Sequence, residues 1–167
     1  MASLWKLPVI YVIENNMYAM GTSVERASAE VELFKRGISF EIEGEEVDGM
    51  DVLAVREAGQ KAVAHARAGK GPYILEMKTY RYRGHSMSDP AKYRKREEVD
   101  DIRTHHDPIE GLKGQIIEQG HATEDDLKKI DNEIKAIVKE AADFSLESPE
   151  PDPGELWTDV LIEEGVR

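Results

Sequence analysis

The sequence predicts an α/β fold, a parallel sheet with crossover helices followed by two carboxy-terminal helices. Three observations predict it. Val9-Ile10-Tyr11-Val12-Ile13 is a continuous and largely β-branched apolar run, the pattern of a strand covered on both faces. Val52, Val55, Ala58, Ala62 and Ala66 step by three or four, as one face of a helix does. A second apolar run, Pro72 to Met77 (PYILEM), follows directly. Strand, helix and strand at these spacings make a right-handed crossover between parallel strands.

The elements follow in order. The first strand spans Pro8 to Ile13 and stops at Glu14-Asn15-Asn16. Ile38 to Val47 alternates, with charges set between Ile38, Phe40, Ile42 and Val47, and is predicted to be a strand nearer an edge. Asp51 to Ala68 is the helix, stopped by Gly69 and Gly71. Pro72 to Met77 is the second buried strand. Thr79 to Arg96 then loses all periodicity and carries Tyr80, Tyr82, Tyr93, Gly84 and His85. A loop of this length inside a compact domain is usually functional or disordered.

Asp107-Pro108 opens a short helix, with Asp as cap and Pro in the first turn; it ends at Gly120. Thr123-Glu124-Asp125-Asp126 opens a longer one, with a capping hydroxyl and three acids at the positive end of the dipole. Its stripe is Leu127, Ile130, Ile134, Ile137, Ala141 and Phe144. Ser148 to Pro153 (SPEPDP) is a Pro-rich acidic linker. In the tail beyond it, Leu156, Trp157, Val160 and Leu161 are expected to dock on a neighbour. The domain organisation expected is an α/β body over residues 1–148 and a linker with its tail over 149–167.

Composition narrows the function. The chain has 167 residues, 40% of them apolar and 34% charged, which suits one soluble domain with a single core. It has no cysteine, which excludes disulfides, thiolate zinc sites and thiol nucleophiles. No apolar run approaches the ~20 residues of a membrane span. The start, MASLWKLPVIYVIE, lacks a basic leading region and a small-residue cleavage site, so it is not read as a signal peptide. The net charge of −12 is uneven, with 15 basic and 13 acidic residues from Met1 to Arg96 but 7 and 21 from Glu97 to Arg167. An acidic half argues against nucleic acid as a partner. Within the first half, Lys78, Arg81, Arg83, Lys92, Arg94, Lys95 and Arg96 face only Asp89. Such an island suits an anionic ligand or an acidic protein surface.

In open parallel sheets, ligands bind at the carboxyl ends of strands. Asn15-Asn16 follows the first strand and Thr79–Arg96 follows PYILEM, so the two segments converge if those strands are neighbours. Asparagine is common in turns because its side chain hydrogen-bonds its own backbone. The alternative is an amide oxygen that ligates a hard cation. An asparagine oxygen, a backbone carbonyl, a histidine and arginines suit a magnesium-bound phosphate ester. Arg81 and Arg83 either anchor the loop through acids or touch phosphate. His105 and His106 stand beside a helix cap and read as ordinary helix-end residues.

Two segments carry a family resemblance. ENNMYAMGTSVERA (Glu14 to Ala27) resembles the end of the thiamine-diphosphate motif, and TYRYRGHSMSDPAKYRKREEV (Thr79 to Val99) resembles a loop of the same enzymes. With LWKLPVIYVIENN, VDGMD, AGKGPYILEMK, DPIEGLK and the PEPDP tail, they make nearly the whole chain similar to one part of a family. That part is the carboxy-terminal half of the α subunit of the pyruvate dehydrogenase decarboxylating component, among the thiamine-diphosphate-dependent 2-oxo acid dehydrogenases. Members acting on branched-chain 2-oxo acids or acetoin are less alike, because their loops depart from HSMSDP after the histidine.

The resemblance implies a partial thiamine-diphosphate-binding fold, with thiamine diphosphate and magnesium as cofactors. It implies that the Asn16 side-chain oxygen and the Tyr18 backbone carbonyl ligate magnesium. His85 is implied to lie at the active site, near the cofactor, and to help pass the acetyl group to lipoyl. Ser86 matches a serine that mitochondrial members phosphorylate. The implied reaction is oxidative decarboxylation of pyruvate with acetyl transfer to lipoyl-lysine, feeding acetyl-CoA synthesis. The implied partners are a β subunit, in an α2β2 assembly, and the lipoyl domains of the acetyltransferase component. The compartment would be the cytoplasm in a bacterium and the mitochondrial matrix in a eukaryote.

One departure is large. The family motif opens with Gly-Asp-Gly about 30 residues before Asn-Asn, and this chain has none; its only Asp-Gly, Asp48-Gly49, lies after Asn16. Met1 is therefore expected to be an internal methionine of a longer subunit, and the chain alone is expected to be inactive. The alternatives are a non-catalytic fragment or interaction module that binds no cofactor, and a subunit acting on another 2-oxo acid or acetoin.

Overall fold

The run of β-branched residues forms β1, Ile10–Asn15, which starts later than the pattern predicts and continues through the first asparagine. The computed structural model describes residues 1–158, so the docking expected of Val160 and Leu161 lies outside the described residues. A small antiparallel hairpin follows, β2 (Tyr18–Ala19) and β3 (Thr22–Ser23). Ser23 caps the short α1, Val24–Ala27, by accepting from the Arg26 N–H. Next come β4 (Glu43–Asp48), α2 (Val52–Arg67) and β5 (Tyr73–Lys78). The sheet order is β1-β5-β4 and both pairings are parallel.

The core lies between α2 and the sheet. Ala58, Ala62 and Ala66 turn inward from α2; Val47, Tyr73 and Leu75 meet Ala58 and Ala62 from the strands. Small residues on α2 let the helix backbone lie close to the sheet. Asp51 caps α2 by accepting from the Leu53 and Ala54 N–H groups. β5 is the central strand, buried from Tyr73 through Glu76.

Two local expectations change. The alternation from Ile38 to Val47 is not one strand: Leu33–Phe40 is a 3-10 helix, and only Glu43–Asp48 is extended. The chain is pinned there by tertiary contacts. The Phe34 N–H donates to the buried Glu76 carboxylate at 2.8 Å. Gly37 is buried so close to Ile74 and the Ile42 carbonyl that an added Cβ would lie 2.6–2.7 Å from them. The second change concerns β1, predicted to be covered on both faces. It is an edge strand, and Val12 is 61% exposed; nothing among the described residues covers it.

After the loop come α3 (Arg96–His105), α4 (Pro108–Glu118) and α5 (Glu124–Glu147). The sequence predicted only the last two. α3 has no side-chain cap and no buried residue, so its pattern shows no wide apolar stripe. The caps predicted for α4 and α5 form: Asp107 accepts from the Ile109 and Glu110 N–H groups, and Thr123 and Asp126 make a reciprocal capping box. The chain divides into two compact units, Met1–Gln119 and a second that begins at Gly120. Within the second, Ile130, Ile134, Ile137 and Phe144 are exposed. Among the described residues no helix is long and apolar enough to cross a membrane.

Candidate functional site

The two segments singled out by sequence leave the sheet at the same end. Asn15 pairs with Lys78, and Asp48 pairs with Lys78 from the other side, so the carboxyl ends of all three strands form one row. The Thr79 N–H donates to the Asn15 carbonyl at 2.9 Å. β1 and β5 are direct neighbours, and the turn after one therefore meets the loop after the other, where open parallel sheets bind ligands.

The two asparagines face different ways. Asn15 is 4% exposed. Its Nδ2 donates to Glu76 Oε1 at 2.6 Å, and its Oδ1 accepts from the Met17 N–H at 3.0 Å. This is an Asx turn, and it holds Met17 in the left-handed region at φ 68°, a conformation that non-glycine residues adopt only with support. Asn16 faces the loop instead. Its amide lies between the Tyr18 carbonyl oxygen and Arg81 Nη2, 3.0 Å from each. With Nδ2 toward the carbonyl and Oδ1 toward the arginine, both contacts are hydrogen bonds. A half-turn of the amide would set its oxygen at that same distance from the carbonyl oxygen. Two such oxygens repel unless a cation joins them, and about 3.0 Å is the spacing of adjacent ligands around an octahedral magnesium with ~2.1 Å bonds. The donor set fits a hard cation, and both donors are neutral.

Arg81 carries the connection onward. Its Nη1 is 3.2 Å from His85 Nδ1. A guanidinium only donates, so Nδ1 accepts and the ring proton sits on Nε2. Asn16, Arg81 and His85 are thus joined in one chain of contacts. The partners of Arg81 are thus an amide and an imidazole, not the acids of the loop-anchoring alternative. Arg83 contributes its carbonyl, which accepts from Arg94 Nη2 at 2.8 Å.

Two residues organise the loop. Asp89 accepts from the His85 N–H at 2.7 Å, the Ala91 N–H at 2.8 Å and the Tyr93 hydroxyl at 2.9 Å. Those backbone donors, His85 first, hold its carboxyl below the usual value. Gly84 is required beside it, because a Cβ there would lie 2.4 Å from the Asp89 carbonyl oxygen. Arg94 is 8% exposed, with its guanidinium 5.2 Å from the ring centres of Tyr80 and Tyr93 and 5.9 Å from that of Tyr18. The turn and the loop therefore share one cation–aromatic cluster. Burial and a hydrogen bond to Glu98 push the Tyr80 hydroxyl up to about 12. Ser86 is exposed beside His85, its Oγ 3.0 Å from Ser88 Oγ. His105 pairs with Asp101 on its own helix at 2.9 Å. Among the described residues no three His, Cys, Asp or Glu side chains are grouped to hold a metal.

Sequence reasoning missed Asn15, Glu76 and Arg94. A signal existed for Glu76, a lone charge inside the buried run PYILEM. None existed for Arg94, one of four basic residues among the five from Lys92 to Arg96.

The family model described as "Dehydrogenase E1 component" matches residues 1–154. The chain is 62% identical to the pyruvate dehydrogenase E1 component subunit alpha of Rhizobium meliloti (strain 1021), over 97% of this chain and 47% of that protein. It is 58% identical to the protein of the same name from Zymomonas mobilis, over 97% of this chain and 46% of that one. It is 52% identical to the somatic, mitochondrial form from Homo sapiens, over 93% and 40%. The chain spans about half the length of the curated relatives it matches.

Proposed function

We propose that this chain, which belongs to the dehydrogenase E1 component family, supplies the magnesium-holding turn and the active-site loop of a pyruvate dehydrogenase E1 α subunit. The whole protein would carry out thiamine-diphosphate-dependent oxidative decarboxylation of pyruvate and acetyl transfer to lipoyl-lysine, toward acetyl-CoA. Its partners would be a β subunit, in an α2β2 assembly, and the lipoyl domains of an acetyltransferase. Its compartment would be the cytoplasm in a bacterium or the mitochondrial matrix in a eukaryote. Residues 149–167 would serve as linker and tail.

One observation carries this reading: the Asn16 amide faces the Tyr18 carbonyl at 3.0 Å and reaches His85 through Arg81. In this reading Asn16 and Tyr18 would hold magnesium against a diphosphate. The cofactor, when bound, supplies the electron sink that decarboxylation of a 2-oxo acid needs. Arg81 orients the His85 ring and leaves its Nε2 proton free to meet a reacting group. The Asp89 and Arg94 contacts fix the loop backbone, so that His85 is positioned before substrate arrives. Ser86 stands next to His85, where a phosphate would add about −1.5 to −2 charge; a kinase acting there would switch the loop off.

The test uses the full-length subunit assembled with its β partner, assayed with pyruvate and lipoyl domain. His85→Ala should lower turnover by about 10²–10⁴-fold, as loss of a positioned proton-transfer group does, with an unchanged melting temperature. Ser86→Glu should also inactivate, by placing a carboxylate in the loop near the diphosphate. Ser86→Ala should keep most activity, because among the described residues its hydroxyl meets only Ser88. Near-normal turnover of His85→Ala, or a Ser86→Ala as inactive as Ser86→Glu, would refute the assignment of this loop.

A further inference from the structure

Glu76 is the one fully buried carboxylate among the described residues, with 0% exposure in the middle of the central strand. Such a group is retained only where its acceptors are used. Its Oε1 accepts from Asn15 Nδ2 at 2.6 Å and its Oε2 from the Phe34 N–H at 2.8 Å. Lys78 Nζ stands 3.5 Å from Oε1. The carboxylate thus fixes which way the Asn15 amide points. With Nδ2 committed to Glu76, Oδ1 must face the Met17 N–H, which it accepts at 3.0 Å. That bond supports Met17 at φ 68°. The left-handed residue reverses the chain between Asn16 and Tyr18, and so brings the Asn16 amide and the Tyr18 carbonyl within 3.0 Å of each other.

We propose that Glu76 is a positioning residue for cation binding: through Asn15 and Met17 it aims the Asn16 and Tyr18 oxygens at one point, without touching the metal. The inference rests on the magnesium reading of Asn16 and Tyr18. It makes Asn15 a polarity relay, with a consequence open to test by exchange. Glu76→Gln places an NH2 group against either the Asn15 NH2 or the Phe34 N–H, and Asn15 cannot turn over without abandoning the Met17 N–H. Asn15→Asp alone sets two carboxylates against each other. Together the two changes restore both hydrogen bonds of the relay, although an NH2 group then stands where Lys78 Nζ meets Oε1. The new amide at position 76 would donate to the new carboxylate at position 15 and accept from the Phe34 N–H. That carboxylate would in turn accept from the Met17 N–H, with side-chain shapes preserved.

The experiment measures Mn2+ binding in the presence of thiamine diphosphate, by electron paramagnetic resonance of free Mn2+. It uses the full-length subunit assembled with its β partner. Glu76→Gln should weaken Mn2+ at least tenfold. Asn15→Asp should weaken it further, and the double variant should return to within about threefold of wild type, since it remakes the same hydrogen bonds to Asn15's position, the Phe34 N–H and the Met17 N–H. Wild-type affinity in Glu76→Gln would overturn the proposal, as would a double variant no better than Glu76→Gln. Should the single variants fail to assemble, assembly and near-wild-type affinity of the double variant support the relay, and its failure overturns it. Asn16→Ala separates the two levels. If it binds Mn2+ normally, the metal reading falls and this inference with it; if it loses Mn2+ while Glu76→Gln does not, only this inference falls.

Discussion

Asp89 ties the backbone of His85 to the rest of the loop through a 2.7 Å bond from the His85 N–H. That bond and the one from Ala91 hold its carboxyl below the ordinary value. A carboxyl lowered on folding contributes stability above its unfolded value, near 3.9, and that contribution is lost as pH falls through the lowered value. The Asp89 hydrogen bonds should therefore be constant from pH 8 to about 5 and should loosen only below about 4. The amide proton shift of Ala91, which donates to Asp89, would report this; a titration step of that amide near pH 6 would mean that another group holds the loop. At this scale the expectations for Asn16, Tyr18 and His85 rest on a resemblance that lies in contiguous words, ENNMY and HSMSDP. Glu76, Asn15 and Arg94 could not, because their meaning comes from partners up to 61 positions away. The doubled asparagine even misdirects, since one of the pair faces inward, to Glu76 and the Met17 N–H.

The elements read best from sequence are those whose pattern is satisfied locally. α2 falls between Asp51 and Ala68, as its stripe and caps predict, and β5 is displaced by one residue. The segment Leu33–Phe40 defeated the pattern because its conformation is set by Glu76 and by the close approach of Gly37 to Ile74, not by its own alternation. α3 was missed because a polar, uncapped helix leaves little periodic trace. The contact between α2 and the sheet rests on Ala62, which is 0% exposed. Ala62→Leu should therefore push the helix from the strands and cost about 1–3 kcal/mol, as overpacking does. Thermal melts of the full-length assembly would measure it, with Gln60→Leu at an exposed position of α2 as the control. An unchanged melting temperature for Ala62→Leu would mean that α2 does not pack on β5 as described.

The whole chain presents about half of the length of its relatives, and the two groups proposed to hold magnesium, the Asn16 amide and the Tyr18 carbonyl, are both neutral. Two neutral ligands leave most of magnesium's octahedral demand unmet. The isolated chain is therefore expected to bind thiamine diphosphate and Mg2+ more weakly than micromolar, and calorimetry on it would check this; micromolar binding would refute it. The exposed Val12 on β1 and the exposed apolar stripe of α5 belong to the same scale, because a pattern of buried residues can be read in a sequence while the surface that covers them cannot. The central claim is that Asn16 acts through its side chain and Tyr18 through its backbone. The most direct test is calorimetric titration of Mg2+ and thiamine diphosphate into the full-length assembly carrying Asn16→Ala or Tyr18→Phe. Asn16→Ala should lose at least 100-fold in affinity, about 2.7 kcal/mol. Tyr18→Phe should stay within threefold of wild type, since its carbonyl and its ring beside Arg94 both remain. Wild-type affinity in Asn16→Ala, or a loss in Tyr18→Phe as large as in Asn16→Ala, would contradict the account.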